Sequence, residues 1–436
     1  MTKKFLLKTF GCKVNQYETQ AIRESLEKTG AREVTEGSGS ADLVIVNTCT
    51  VTGDADRANR NWIRRLKREY PECRLVVTGC FAETDRDVLE RMPEVDMIFS
   101  NQGKNRIAEV LTGGGHGSCP GPASQGTEFL PLEIAKSDGR TRANVKIQDG
   151  CNHSCSYCKV VLARGRSRSR PPRDVLEEVR RLRDAGYREI ILTGIQLGAY
   201  GLEKGNEGAL AELIRDCAEF EGIERIRLSS VEPTDIRESL IGAFREVPKL
   251  CPHVHIPLQS GDDAVLKQMN RRYSPSLYIE TISKLREAVP DFCLSLDVMV
   301  GFPGETEDAF LKSLEVLKNV RPLKSHIFPF SRRKGTRADR LKILPGTVVR
   351  ERVRRISEWS GQISAEVREE FLGREFKVLA EHRDPGTGCW EGYAPNYLRV
   401  FFDFPRDIRG CIIPVILRDL CDDGCLGDVQ GSDEGG

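Results

Sequence analysis

The sequence contains no run of about eighteen apolar residues, so nothing in it reads as a membrane span. Its opening stretch, MTKKFLLKTFGC, carries basic residues but too short an apolar run for a secretory signal. A cytoplasmic location is therefore expected. In that reducing compartment the 15 cysteines read as metal ligands, reactive thiols or buried small residues, not as a disulfide framework. Net charge is lacking too: the formal value of +1 excludes a uniformly basic coat for nucleic acid and leaves only local patches. No short-period repeat or low-complexity tract stands out. The most informative absence is a fourth cysteine. In CNHSCSYC, Cys151, Cys155 and Cys158 fall close together and then stop, whereas a structural zinc site or an ordinary ferredoxin cluster takes four ligands.

With 436 residues, 39% hydrophobic and 30% charged, the chain is long enough for two or three domains. The Gly/Pro/Ser-rich stretch from Thr112 to Gly126 reads as a linker. A second boundary follows SRRKGTRADRLKILPG, where Val349, Val353, Ile356 and Trp359 recur at helical spacing. These features divide the chain into 1–115, a linker 116–127, a central module 128–345, a connecting helix 346–371 and a last module 372–436.

The fold class expected is α/β with a small β module at the end. In the first module KKFLLKTFGC, ADLVIVNTC and CRLVVTGC each give a β-rich run, a polar turn and a cysteine, with helical stretches between them. That rhythm predicts a doubly wound parallel sheet, with ligands beyond the carboxyl ends of its strands. Cys12, Cys49 and Cys80 would meet at that edge as a three-thiolate metal site. The central module repeats six strand-like runs with helical stretches between most of them, which predicts a partial (βα)6 barrel; CNHSCSYC follows the first run. The last module mixes β-branched and aromatic runs with Gly/Pro turns and predicts a small β-barrel ending in an acidic tail that carries Cys421 and Cys425.

Four irons held by three thiolates leave one iron open, and the α-amino and carboxylate groups of S-adenosylmethionine suit that vacancy. An electron from the cluster can then cleave the sulfonium. A zinc knuckle with His153 as fourth ligand is the alternative, but its close spacing fits the usual ligand patterns poorly.

The loop CNHSCSYC, with Tyr157 before its last cysteine, resembles that of the radical S-adenosylmethionine superfamily. TFGCKVNQYET, NTCTVT and TGC resemble the amino-terminal domain of its methylthiotransferases. LTGIQLGAYG, RIRLSSVEP, HIPLQSG and GFPGET continue the likeness, and the end is similar to a TRAM domain. Around the first two cysteines the sequence looks most like the threonylcarbamoyladenosine tRNA branch. The resemblance implies two [4Fe–4S] clusters. Cys151, Cys155 and Cys158 would hold the one that generates a 5′-deoxyadenosyl radical from S-adenosylmethionine. Cys12, Cys49 and Cys80 would hold an auxiliary cluster bearing the sulfur, methylated by a second S-adenosylmethionine and transferred to C2 of N6-threonylcarbamoyladenosine at position 37. The cysteine-bearing edges should then face each other across one cavity. No side chain is singled out as catalytic, since the cofactors carry the chemistry.

For S-adenosylmethionine the family pattern points to Tyr157, Thr193, Gly194, Glu232 and Gln259. For the tRNA anticodon loop, Arg164, Arg166, Arg168 and Arg170 directly follow the radical trio and are placed to grip phosphates. A second basic stretch, RANRNWIRRLKR, follows Cys49, and Trp390, Tyr393, Tyr397, Phe401 and Phe402 offer aromatic faces, more of them expected in the barrel core than on an RNA surface. Further partners implied are an electron donor such as flavodoxin or ferredoxin and a sulfur donor. Lys159 departs from the family pattern, which has an aliphatic residue there. Rival readings are an isopentenyladenosine substrate in tRNA, a ribosomal-protein side chain, and a non-catalytic electron carrier or RNA-binding module, which would need two fully ligated clusters. Cys73, Cys119, Cys217, Cys251, Cys293, Cys389 and Cys411 read as buried or incidental.

Overall fold

Runs such as LVIVNT are rich in β-branched residues and apolar almost throughout, as strands are when both faces of their sheet are covered by helices. The computed structural model describes residues 2–37, 39–112, 128–137 and 139–429. Strands β1 (Lys4–Thr9), β2 (Arg32–Glu33), β3 (Leu43–Thr48), β4 (Arg74–Gly79) and β5 (Met97–Ile98) form a sheet in the order β2-β1-β3-β4-β5, parallel throughout. One apolar cluster containing Val44, Ile63 and Val77 covers one face, and another containing Ile22, Ile45 and Phe99 covers the other. Because all strands run one way, the ends of β1, β3 and β4 share an edge. Cys12 caps the helix Lys13–Lys28 after β1, Cys49 follows β3, and Cys80 opens the helix Cys80–Thr84 after β4.

The central strands are β6 (Arg142–Lys146), β9 (Glu189–Thr193), β10 (Arg225–Leu228), β11 (His253–His255), β12 (Cys293–Val300) and β13 (Lys324–Pro329), with a two-stranded ribbon of β7 (Gln148–Asp149) and β8 (Arg168–Ser169) after the first. They pair in parallel as β10-β9-β6 and β11-β12-β13, and the bridges Ile226↔Leu250 and Ser230↔His255 join the two halves. Among the described residues no pairing closes β13 onto β6. The result is the open six-stranded barrel expected, its outer wall packed by helices and its inner wall lined by polar residues such as Asn144, Arg227 and Ser295.

The helix Gly346–Glu369 then leads to the last module. Its buried stripe contains Ile356, Ile363 and Val367, whereas Trp359, expected on that face, is 41% exposed and lies under the Lys318 ammonium instead. Strands β14 (Glu375–Arg383), β15 (Trp390–Tyr393), β16 (Arg399–Phe402), β17 (Ile412–Cys421) and β18 (Gly424–Val429) close into a barrel in the order β14-β15-β16-β18-β17. The expected acidic tail is largely corrected by this: residues up to Val429 form the last hairpin, with Cys425 in the core. Arg399 and Arg418 neutralise Asp423 and Asp428 there, which lets an acidic segment pair as a strand. The expected linker 116–127 and residues 430–436 lie outside the described residues.

Candidate active site

The loop Cys151–Cys158 is fixed by groups that reach it from several elements. Gly150 has φ +72, and a Cβ there would come within 2.0 Å of the Arg166 carbonyl, so only glycine makes this approach. Gln148 stitches the loop to its neighbour: its Oε1 accepts from the Ile195 and Gln196 amides at 2.9 and 2.8 Å, while Nε2 donates to the carbonyls of Asp149 and Gly150. Ser156 donates its amide to Met269 and accepts from the Ala338 amide. Two sulfurs face backbone donors, His153 N at 3.3 Å from Cys151 Sγ and Val160 N at 3.4 Å from Cys158 Sγ. The His153 ring is hydrogen-bonded to Gln196 at 2.7 Å.

Tyr157 packs edge-on against Phe302, and its hydroxyl accepts from Arg271 at 2.6 Å. Arg271 also donates to both oxygens of Glu232 at 2.7 Å. Thus one arginine that no spacing pattern flagged ties together two expected site residues. Thr193 ends β9, and Gly194 presses on Gln148, whose Oε1 would lie 2.8 Å from an added Cβ. Gln259 is buried with φ +62, and its Oε1 has no hydrogen-bond partner.

The auxiliary edge is built differently. Gly11 has φ +97 and sits so close to Cys49 that a Cβ would fall 2.7 Å from the sulfur, and Gly79, with φ +99, leaves no room beside Thr48. Asn15 donates to the carbonyls of Phe10 and Thr48, which clips the ends of β1 and β3 together. Asn59 donates to the Cys49 carbonyl at 2.6 Å.

The arginines correct the sequence reading. Arg164 is fully buried: it donates to Cys80 Sγ at 3.3 Å, to Asn15 at 2.6 Å, and to Glu18 and Asp149. Arg168 is 4% exposed beside Asp149, and Arg170 is 2% exposed against Glu178 and Tyr17. These three are buried in ion pairs with interior carboxylates, and Arg166 alone of the four is exposed. On the helix Gly53–Glu69, Arg57, Arg64, Arg65 and Arg68 do face solvent. Of the aromatic residues, Trp390 and Phe402 are core, while Tyr397 stacks on His253 with centroids 4.4 Å apart.

Around Glu18 the two edges become one unit. Lys104, Lys146 and Arg164 all pair with its carboxylate, and Lys146 and Arg164 also pair with Asp149. With Arg168, four cations meet two carboxylates, leaving excess positive charge beside Cys80. That excess, and the N–H groups aimed at Cys80, Cys151 and Cys158, suit thiolate-ligated anionic clusters. Burial pushes the thiols of Cys49 and Cys151 up to about 12 and that of Cys158 up to about 11, so each is a neutral thiol unless a metal takes the proton's place. No three His, Cys, Asp or Glu side chains close on a single ion among the described residues. A cubane, whose irons take different thiolates, asks for less convergence than one zinc ion does. A cavity of about 440 Å³ is lined by both Cys80 and Cys158, with Tyr157, Gln259, Met299 and Arg333. A second, of about 290 Å³, is lined by Cys12, Thr193 and Gly194; His255 Nε2 of this one lies 3.1 Å from the Asp297 carboxylate of the first.

A six-stranded open barrel with a three-cysteine loop after its first strand defines the class. Residues 145–317 match the Radical SAM superfamily, and residues 4–100 match a family described as "Uncharacterized protein family UPF0004". The radical methyltransferase TsrM of Kitasatospora setae shares the fold at TM-score 0.57 and 15% identity, over 78% of this chain and 77% of that one. Among curated relatives, the threonylcarbamoyladenosine tRNA methylthiotransferase of Chlamydia pneumoniae is 36% identical over 98% of both chains. That of Thermotoga maritima is 37% identical over 96% of this chain and 95% of its own. A tRNA-2-methylthio-N(6)-dimethylallyladenosine synthase of Saccharopolyspora erythraea is 35% identical over 95% and 86%. The chain belongs to the radical S-adenosylmethionine methylthiotransferase family.

Proposed function

We propose that this chain methylthiolates C2 of N6-threonylcarbamoyladenosine at position 37 of tRNA, giving 2-methylthio-N6-threonylcarbamoyladenosine. The observation that carries the reading is the cavity to which each cysteine trio contributes a lining residue, Cys80 from one and Cys158 from the other. The relatives named for this substrate align over nearly the whole chain. Bound at Cys151, Cys155 and Cys158, and at Cys12, Cys49 and Cys80, two [4Fe–4S] clusters would supply reductive cleavage of S-adenosylmethionine and a seat for the transferred sulfur.

The chain's own residues orient and enclose. Arg271 fixes Tyr157 and Glu232 on one wall, and the unpartnered Oε1 of Gln259 offers an acceptor to an adenine amino group or ribose hydroxyl of S-adenosylmethionine. Thr193 and Gly194 shape the neighbouring wall, with Met299 and Phe328 adding apolar surface that excludes water. Arg166 and the exposed arginines of Gly53–Glu69 meet phosphates of the anticodon loop, whose target base must leave its stack to enter. The electron donor is a flavodoxin or ferredoxin, a separate donor supplies sulfur, and the reaction takes place in the cytoplasm. No helix of the described residues is long and apolar enough to cross a membrane.

Nucleoside mass spectrometry tests the reading in a host lacking its own tRNA methylthiotransferases, expressing this chain or Cys12→Ala. The expected product appears only with the intact chain. A methylthio group on isopentenyladenosine instead would move the substrate to the dimethylallyl branch. Absence of any methylthio nucleoside, with cluster-loaded protein present, would overturn a tRNA substrate.

A further inference from the structure

Beside Cys12 the barrel interior opens into a basic chamber. Lys13 and Tyr397 line both the cavity of about 290 Å³ and a neighbouring one of about 560 Å³. The two arginines deepest in the chamber have partners, Arg142 pairing with Glu381 at 2.5 Å and Arg227 with Glu189 at 2.8 Å, while Arg140 and Arg409 of the larger cavity are exposed. Lys13 is half-buried, and no described carboxylate lies within ion-pair distance of its ammonium. The Arg142 and Arg227 guanidinium groups lie 5.8 and 5.0 Å from the centre of the Tyr397 ring, so three cations converge on this wall. An ammonium with no carboxylate partner beside these arginines makes the chamber favour an anion.

Its walls also hold unsatisfied polar atoms. Asn144 Oδ1, Ser229 Oγ and His253 Nδ1 have no hydrogen-bond partner, and each residue is more than nine-tenths buried. Asn144 lines the larger cavity, Ser229 and His253 the smaller. An apolar guest would leave all three unmet, at a cost that buried polar groups rarely bear.

We propose that Lys13 binds the carboxylate of the threonylcarbamoyl substituent and that this chamber is the pocket for that substituent, an inference that rests on the substrate proposed above. The substituent offers a carboxylate, a hydroxyl and urea-type N–H and C=O groups, one for each kind of unmet atom; a dimethylallyl group offers none. Position agrees with chemistry. C2 and N6 flank N1 on one edge of adenine, so a group on N6 lies beside the reacting carbon, and Lys13 directly follows Cys12.

The test titrates the cluster-loaded full chain with anticodon stem-loops and follows fluorescence anisotropy. The loops carry N6-threonylcarbamoyladenosine, its methyl ester or plain adenosine at position 37. The unaltered chain should prefer the acid over the ester by about tenfold, as a charge-assisted contact implies. Lys13→Met should abolish that preference and Lys13→Arg should retain most of it. Iron content equal to the parent shows that the neighbouring cysteine site survives in Lys13→Met, and the ester arm needs no variant at all. A full preference retained by Lys13→Met overturns the role of Lys13 and leaves the substrate standing. Equal weakening of all three loops overturns it as well, since Lys13 would then be gripping a backbone phosphate. An unaltered chain that binds modified and plain loops alike overturns the pocket, and the nucleoside analysis above shows whether the substrate falls with it.

Discussion

The two cysteine trios each place one residue, Cys80 and Cys158, on the same cavity but are assembled in opposite ways. Cys151, Cys155 and Cys158 lie on one short loop, and their convergence is nearly guaranteed by chain connectivity. Cys12, Cys49 and Cys80 come from three strand ends, and only the parallel sheet brings them together. A local ligand set tolerates loosening of its surroundings, because its loop-closure cost is small; a dispersed one survives only while its domain is folded. The dispersed trio is held by long-range scaffolding: positive-φ glycines at its strand ends, Asn15 and Asn59 on backbone carbonyls, and Arg164 on Cys80.

Glu18 is the place to break that contrast most severely. It is 1% exposed and is the shared carboxylate of Lys104, Lys146 and Arg164. Glu18→Leu should destabilise the chain by about 3–5 kcal/mol, because it leaves buried cations uncompensated. Urea denaturation measures the loss, and iron analysis at intermediate urea should find the dispersed trio emptied before the local one. Burial works against ionisation of Glu18, yet Arg164, Lys104 and Lys146 outweigh it and hold the carboxyl well below the usual range. Its contribution is thus complete above about pH 5 and is lost as pH falls below the unfolded value near 4.3. The acid limb of the parent's stability profile should flatten in the variant.

The same contrast explains what could be read before folding and what could not. The local trio is visible as a spacing, and the dispersed one as a repeated strand–turn–cysteine rhythm, since both signals are confined to short windows. The arginines after Cys158 carry no such signal. Arg164 meets Glu18 across 146 residues, and Arg168 and Arg170 meet Asp149 and Glu178, so composition suggested an RNA grip where the fold builds interior ion pairs. Arg271 and Gln148 carry no spacing signal for the same reason: their roles depend on partners contributed by other elements. Trp359 failed differently. Its spacing suited the buried stripe, but the long helix presents it to solvent beside Lys318.

Lys159 sharpens the comparison at intermediate size. An ammonium next to Cys158 looks out of place, yet it is buried and pairs with Asp85 of the dispersed trio's domain at 2.8 Å. Lys159→Leu should cost about 1–3 kcal/mol by leaving Asp85 unpaired, whereas the double variant Lys159→Leu/Asp85→Leu should recover most of that loss. A double-mutant cycle in urea measures the coupling. Additive single effects would mean that the pair does not fasten the two trios to one another.

The smallest effect on stability separates neighbours within one run. Arg166 is exposed and Arg168 is buried against Asp149, two residues further on. Arg166→Ala should change stability by less than about 0.5 kcal/mol, as surface substitutions generally do. If it contacts one phosphate, the dependence of tRNA affinity on salt should weaken by just under one in log–log slope. Arg168→Ala should do the reverse, lowering the denaturation midpoint with little change in that slope. Equal salt slopes for parent and Arg166→Ala would place the RNA path elsewhere, on the exposed arginines beyond Cys49, and would leave the run after Cys158 wholly to the job of holding two cysteine sites together.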